Sequence, residues 1–249
     1  MINQIEIAKN LKDAAKYVKK GYLPFAGGTE ITRLNSYVVA TKFVSLKNCG
    51  LNTIENEGEY IKIGAMCTFT DLVHSELIPE DLKKALYFNS SLQKRNMATI
   101  GGNIAMNRDD SYLMPALIAY GAEVELEGSK ERYPLYLLED IVTNGKILTY
   151  IYIDKCHSVV SERVANTKAS HALLTASIGG HLPDEYTISI AIKGIGIISM
   201  FADDESYKHI FDDIKFKTDI IYGSKEYKKY ISETIVNELV KEYKERTRG

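Results

Sequence analysis

Two pairs of adjacent glycines, Gly27-Gly28 in PFAGGTEI and Gly101-Gly102 in MATIGGNI, constrain this 249-residue chain more than any other feature. Paired glycines permit dihedrals that turn successive N–H groups to one side, and such a concave nest holds phosphate oxygens without a cation. Each pair follows an apolar run and neither is followed by lysine. That pattern predicts one diphosphate gripped from two sides rather than two separate sites. On this reading Gly27→Val or Gly101→Val greatly weakens binding of the ligand and leaves the fold largely intact.

A chain of this length exceeds the usual single core, so two or three lobes are expected. The division read from the sequence is 1–55, 56–155 and 156–249. With 31 basic and 33 acidic residues the formal charge is −2, and the lysines are interspersed with acids. No basic field exists for a nucleic-acid role. No window has the apolar length of a membrane span, and MINQIEIAKN lacks a basic start followed by a signal core, so a cytoplasmic protein without membrane insertion is expected. Cys49, Cys67 and Cys156 are far apart and form no C-x-x-C pair, which predicts free thiols rather than a cluster or disulfide framework. His74, His157, His171, His181 and His209 show no ligand spacing, and no metal site is expected.

In chain order, Ile5 and Ile7 alternate as in a short strand, and Asn10 caps a helix with Asp13 at its positive end. Gly21 stops that helix. YLPFA then carries a strand tip to the first glycine pair, with 43–46 as a third strand of a small parallel unit. A phosphate loop at the carboxyl end of such a strand is where open α/β sheets place ligands. The G-x-G-x-x-G fingerprint of nicotinamide enzymes is absent there, and Gly194-Ile195-Gly196 sits in an apolar run where close strand packing explains it. Residues 60–65 alternate again. Thr68 or Thr70 begins a short helix through Asp71, and a longer helix runs through Leu82, Ala85 and Leu86. Pro115 stands just inside a further helix closed by Gly121. Asp110, before that helix, is either its cap or a hydroxyl-binding group. Strands follow at 123–126 and 146–153, then TISIAIKGIGIISMF, and Ser224 caps a long final helix with Tyr227, Ile231, Val236 and Leu239 at helical spacing.

Four pieces, PFAGGTEI, IGAMCTFTDL, LQKRNMATIGGNI and MPALIAYGAEVEL, resemble in order and spacing the flavin-binding (medium) subunits of molybdenum hydroxylases, the xanthine dehydrogenase and carbon monoxide dehydrogenase type. The resemblance implies an α+β architecture of that FAD-binding type: a small α/β lobe, a mixed α+β lobe and a smaller, here shortened, carboxyl-terminal α+β lobe. It implies FAD held by its diphosphate along Pro24, Phe25, Ala26, Gly27, Gly28, Thr29, Glu30 and Ile31 and along Thr99, Ile100, Gly101, Gly102 and Asn103. Asp110, Ser111 and Tyr112 are candidates for the adenosine side, with Tyr112 standing where many relatives have aspartate. Ile147 and Leu148 are candidates to pack on the flavin ring, and Arg163 and Lys168 to place a cation beside it. Gln93, Arg95 and Asn96 match the segment leading into the second loop, as cofactor contacts or as ties to neighbouring backbone.

The partners so implied are a molybdopterin-binding large subunit and a two-iron two-sulfur small subunit, with NAD or another acceptor taking the electrons. The chain would then be an oxidoreductase subunit for electron transfer, with no catalytic side chain of its own. That agrees with the lack of a triad, paired carboxylates or metal box. Two other readings keep part of this picture. One is a free-standing FAD-dependent oxidoreductase, which needs its own substrate base and often a histidine or cysteine beside a glycine loop, neither of which is seen. The other is a nucleotide-binding module without redox function.

Overall fold

A computed structural model describes residues 4–33, 36, 38–88, 91–138, 145–167, 170–219 and 221–248. In chain order the described helices are α1 (Leu11–Lys19), α2 (Phe69–His74), α3 (Glu80–Phe88), α4 (Leu92–Arg95), α5 (Ile100–Met106), α6 (Met114–Ala119) and α7 (Lys225–Arg248). The strands are β1 (Gln4–Ile7), β2 (Leu23–Phe25), β3 (Lys42–Ser45), β4 (Ile54–Glu57), β5 (Tyr60–Gly64), β6 (Glu123–Leu126), β7 (Arg132–Pro134), β8 (Leu148–Asp154), β9 (Ser158–Val164), β10 (Leu174–Gly180), β11 (Tyr186–Ile192) and β12 (Gly196–Ala202). They fall into two compact units. One comprises Met1–Ile78, Ser90–Met106 and Glu123–Ile153, the other Pro79–Asn89, Asn107–Ala122 and Asp154–Gly249.

The first unit opens with the expected parallel sheet, in the order β1-β3-β2. Asn10 caps α1 by accepting from the Asp13 amide at 2.9 Å, and the Asp13 carboxylate returns a bond to the Lys9 amide. The helix buries Ala14 and Ala15 against Ala8, Val44, Leu46 and Ile147. Gly21 ends it at φ +85°, a conformation that costs other residues about 1 kcal/mol or more. Pro24 is tolerated because β2 is an edge strand, where a missing N–H breaks no ladder. A five-stranded sheet, ordered β4-β5-β8-β6-β7, completes this unit. Helix α2 starts at a full capping box: the Asp71 amide bonds the Thr68 hydroxyl and the Asp71 carboxylate takes the Thr68 amide.

The second unit is built on the antiparallel sheet β12-β11-β10-β9. Side chains alternate across a strand, so even positions of β10 and β11 share one face. That face carries Leu174, Ala176, Ile178, Ile188, Ile190 and Ile192, which pack with Ile235, Val236, Leu239 and Val240 of α7. Ser224 caps α7 as expected, accepting from the Tyr227 amide at 3.1 Å. The odd face carries Thr175, Ser177, Gly179, Thr187 and Ser189, small residues that admit α6 against β10 and β11. The approach is tight: a Cβ on Gly179 would lie 2.5 Å from the Ala119 carbonyl oxygen. Helices α3 and α7 both pack on β9.

Gly194 and Gly196 serve a different purpose from the one expected. They form the β11–β12 turn at φ +81° and +127°, and nothing lies within 4 Å of where their Cβ atoms would be. Positive φ, not close strand packing, explains both glycines.

Candidate cofactor site

The first glycine loop leaves the carboxyl end of β2 in the first unit. Gly28 takes φ +70°, and its carbonyl oxygen accepts from both the amide and the hydroxyl of Thr32 at 3.0 Å, which fixes the turn. The N–H groups of Gly27, Gly28 and Thr29 have no hydrogen-bond partner among the described residues, and all three residues are half-buried. Consecutive donors left unpaired beside a left-handed glycine form an anion-binding nest. Such donors are available to an oxygen-rich ligand. Phe25 packs its ring edge-on to Phe43 at 6.1 Å, and Glu30 pairs with Arg33 at 3.5 Å. Ile31 is half-buried in the turn that follows.

The second pair works otherwise. Gly101 and Gly102 lie in the first turn of α5 without positive φ, and their amides are already used. Ile100 donates to the Cys67 carbonyl at 3.0 Å, Gly101 to the Ala65 carbonyl at 2.9 Å, Gly102 to the Thr99 hydroxyl at 3.1 Å and Asn103 to the Thr99 carbonyl at 3.0 Å. Thr99, Ile100 and Gly101 are buried, whereas Gly102 and Asn103 are half-exposed. This turn therefore offers surface and shape rather than a row of free donors.

The glycines also do packing work. A Cβ on Gly27 would lie 1.6 Å from the Met97 carbonyl oxygen, and one on Gly101 would lie 2.6 Å from the Ala65 Cβ. Valine at either position cannot leave the fold intact, contrary to the expectation from sequence. A Cβ on Gly102 would reach Ala26 at 4.0 Å, so the two loops are neighbours within this unit. Asn96, leading into the second loop, receives a 2.6 Å bond from the Thr70 hydroxyl, the tie-down reading of that segment. Ile147 is 2% exposed within the α1 core, whereas Leu148 is half-buried at the start of β8.

Asp110, Ser111 and Tyr112 belong to the second unit. The N-cap position of α6 is Leu113, without a side-chain cap bond, and two residues before it the Ser111 hydroxyl accepts from the Met114 amide, the first of the helix, at 3.1 Å. Asp110 is buried in a charge network instead. Arg108 grips it with two 2.7 Å bonds, and Lys193 and His171 each approach it at 3.3 Å. Burial alone would raise its pKa, yet Arg108, then Lys193 and His171, hold the carboxyl below its ordinary value. Asp109 joins the network through Lys193 at 2.7 Å and the Gly194 amide at 2.8 Å. Tyr112 is nearly buried, with the Arg163 guanidinium 5.1 Å from its ring centre, and Arg163 also donates to the Ser170 carbonyl. Lys168 lies outside the described residues. The sequence reading gave no role to Asp109, Arg108 or Lys193. The signal for Arg108 was its place two residues from a buried acid.

A row of unpaired amides at the end of a parallel strand, beside a second glycine turn in an α+β framework, is the arrangement a nucleotide-binding protein needs. The chain belongs to the family of the FAD binding domain in molybdopterin dehydrogenase, whose model matches residues 2–153. Its cofactor is FAD and its class is oxidoreductase. The chain is 26% identical to the uncharacterized protein YgfM of Escherichia coli (strain K12), over 94% of this chain and 90% of that one. Its fold is similar to a chain of carbon monoxide dehydrogenase from Hydrogenophaga pseudoflava (TM-score 0.82, 17% identity, covering 97% of this chain and 96% of the other). It is similar also to a chain of quinoline 2-oxidoreductase from Pseudomonas putida 86 (TM-score 0.85, 16% identity, 99% and 98% covered). These likenesses bear out the α+β architecture expected from the motifs. No helix among the described residues is long and apolar enough to cross a membrane.

Proposed function

We propose that this chain is the FAD-carrying electron-transfer subunit of a multi-subunit molybdenum hydroxylase of the xanthine dehydrogenase type, with a molybdopterin-binding large subunit and a two-iron two-sulfur small subunit as partners and NAD or another acceptor. The observation that carries the reading is the row of unpaired amides at Gly27, Gly28 and Thr29, set where a diphosphate needs donors. Bound FAD would supply the exchange between one-electron donors and a two-electron acceptor. The chain's own residues bind and position. The nest holds phosphate oxygens, Thr32 locks the Gly28 carbonyl so that the donors stay aimed, and Ala26 and Gly102 form a smooth wall without long side chains. Among the second-unit candidates, Asp110 orders the Arg108–Lys193 network, and Tyr112 stacks under Arg163. The family and these donors favour this reading over a module without redox function.

Purification of the chain with its genomic neighbours tests it. Co-elution of stoichiometric flavin with a molybdopterin protein and an iron–sulfur protein is the expected outcome. A flavin-loaded chain that elutes alone and reduces an acceptor with an organic substrate would establish the free-standing enzyme instead.

A further inference from the structure

The β8–β9 turn and the end of β10 bring together Asp154, His157 and His181, three residues that the sequence left as unrelated. The ring centres of the two histidines are 4.0 Å apart. Both rings come close to the same carboxylate oxygen: His181 Nε2 is 3.2 Å and His157 Nδ1 3.4 Å from Asp154 Oδ2. Yet His157 Nδ1 is a buried nitrogen with no hydrogen-bond partner among the described residues. A buried polar atom with no partner is a standing cost of about 1–3 kcal/mol. The spacing answers to a different chemistry. Bonds of about 2.0–2.2 Å in a tetrahedron around zinc put ligand atoms roughly 3.3–3.5 Å apart. The two separations from Asp154 Oδ2 are compatible with that edge, and all three candidate ligand atoms lie within 4.8 Å of one another.

The surroundings orient the ligands. Asp154 Oδ1 accepts from the Cys156 amide at 2.8 Å, which turns Oδ2 toward the histidines. The His157 ring lies against Gly121, where a Cβ would stand 3.2 Å from its Cε1, and only 14% of its side chain is exposed. Burial and the neighbouring His181 lower its pKa, which favours the neutral form a metal needs. His181 is half-exposed and lines, with His157, an open cleft that also borders Glu185, Tyr186 and Phe201.

We propose that Asp154, His157 and His181 bind one divalent cation of the zinc type, with three protein ligands and the remaining position taken by water from the cleft. Two imidazoles and one carboxylate are the donor set of open zinc sites. The proposal is independent of the flavin reading, since none of the three ligands is a cofactor candidate.

The test is calorimetric titration of the chelator-treated, dialysed chain with zinc chloride, with cobalt(II) as an optical probe of tetrahedral geometry. One ion per chain and visible tetrahedral cobalt bands are expected. His181→Ala and Asp154→Asn should each weaken zinc by more than about a hundredfold, beyond the 10–100-fold typical of losing a group that only supports a ligand. His181 is exposed enough for its removal to spare the fold; thermal unfolding of each variant checks this. Unchanged affinity in His181→Ala, zinc spread over several weak sites, or no uptake at all would overturn the proposal and leave a histidine–aspartate pair only.

Discussion

Gly27→Ala separates a loop that only turns from a loop that is wedged in place. The new Cβ would stand 1.6 Å from the Met97 carbonyl oxygen, where ordinary contact begins at 3.4 Å, so the two backbones must part by roughly 1.8 Å. The Met97 side cannot give way easily: the Ala98 carbonyl holds the Phe69 amide at 3.0 Å, and Ile100 and Gly101 are bonded to Cys67 and Ala65. The displacement therefore falls on residues 26–29. A shift of that size takes a 2.9 Å hydrogen bond well beyond the limit at which it counts as one. If two of the three nest donors are lost, at about 1.5–3 kcal/mol for each bond to a charged oxygen, FAD binding weakens by about 3–6 kcal/mol. That is a factor of roughly 10²–10⁴. Overpacking adds about 1–3 kcal/mol of destabilisation. Flavin fluorescence titration measures the first effect and urea unfolding the second. Gly50→Ala is the control for a substitution without a clash: unlike Gly27, Gly50 has a positive φ of +71°, which costs alanine about 1 kcal/mol, but nothing lies within 4 Å of its Cβ position. FAD affinity within threefold of the parent in Gly27→Ala would refute the idea that the Met97 backbone sets the nest.

Asp110→Asn removes the acid from two cations and should cost about 3 kcal/mol, read from the urea midpoint of the second unit. Because the folded pKa of Asp110 is depressed, its contribution is fully present above the unfolded value of about 3.9 and is lost as pH falls through the folded value, so the variant should flatten the acid limb of the stability profile. Ser111→Ala should lower stability by about 1 kcal/mol by leaving the buried Met114 amide without its hydroxyl partner, and an unchanged midpoint would contradict that role. Thiol labelling should find Cys156, which is exposed, at once. Cys67, buried and pushed up to about 11 chiefly by burial, should react only on unfolding.

Local chemistry was legible where neighbours in sequence are neighbours in space. The Asn10 cap, the Thr68 capping box, Pro115 at the start of α6 and Gly121 at its end all follow from short-range rules, and all are present. In the first glycine pair the strand-end position was legible, and Gly28 there takes a positive φ of +70°. The second misleads, because a glycine required by backbone 36 residues away looks like one that frees backbone for a ligand: the constraint on Gly101 comes from Ala65. Asp110 shows the same limit. Its isolated motif allowed a cap or a ligand contact, whereas its environment comes partly from Lys193, across an intervening sheet's worth of chain. The nearness of His157 and His181 was illegible for the same reason, since only the return of β10 beside β9 brings them together.

The family-matched segment, residues 2–153, is not a self-sufficient piece of polypeptide. Its helix α6 is buried at every position from Met114 to Ala119, and the strands that cover it, β10 and β11, come from beyond residue 153. Cutting the gene at that boundary would strip an apolar rod of its shelter, and the fragment should be recovered as aggregate. Supplying residues 154–249 as a second polypeptide should rescue it. A viable hybrid with a relative would therefore have to carry α6 together with β10 and β11, whatever the boundaries of the sequence motifs.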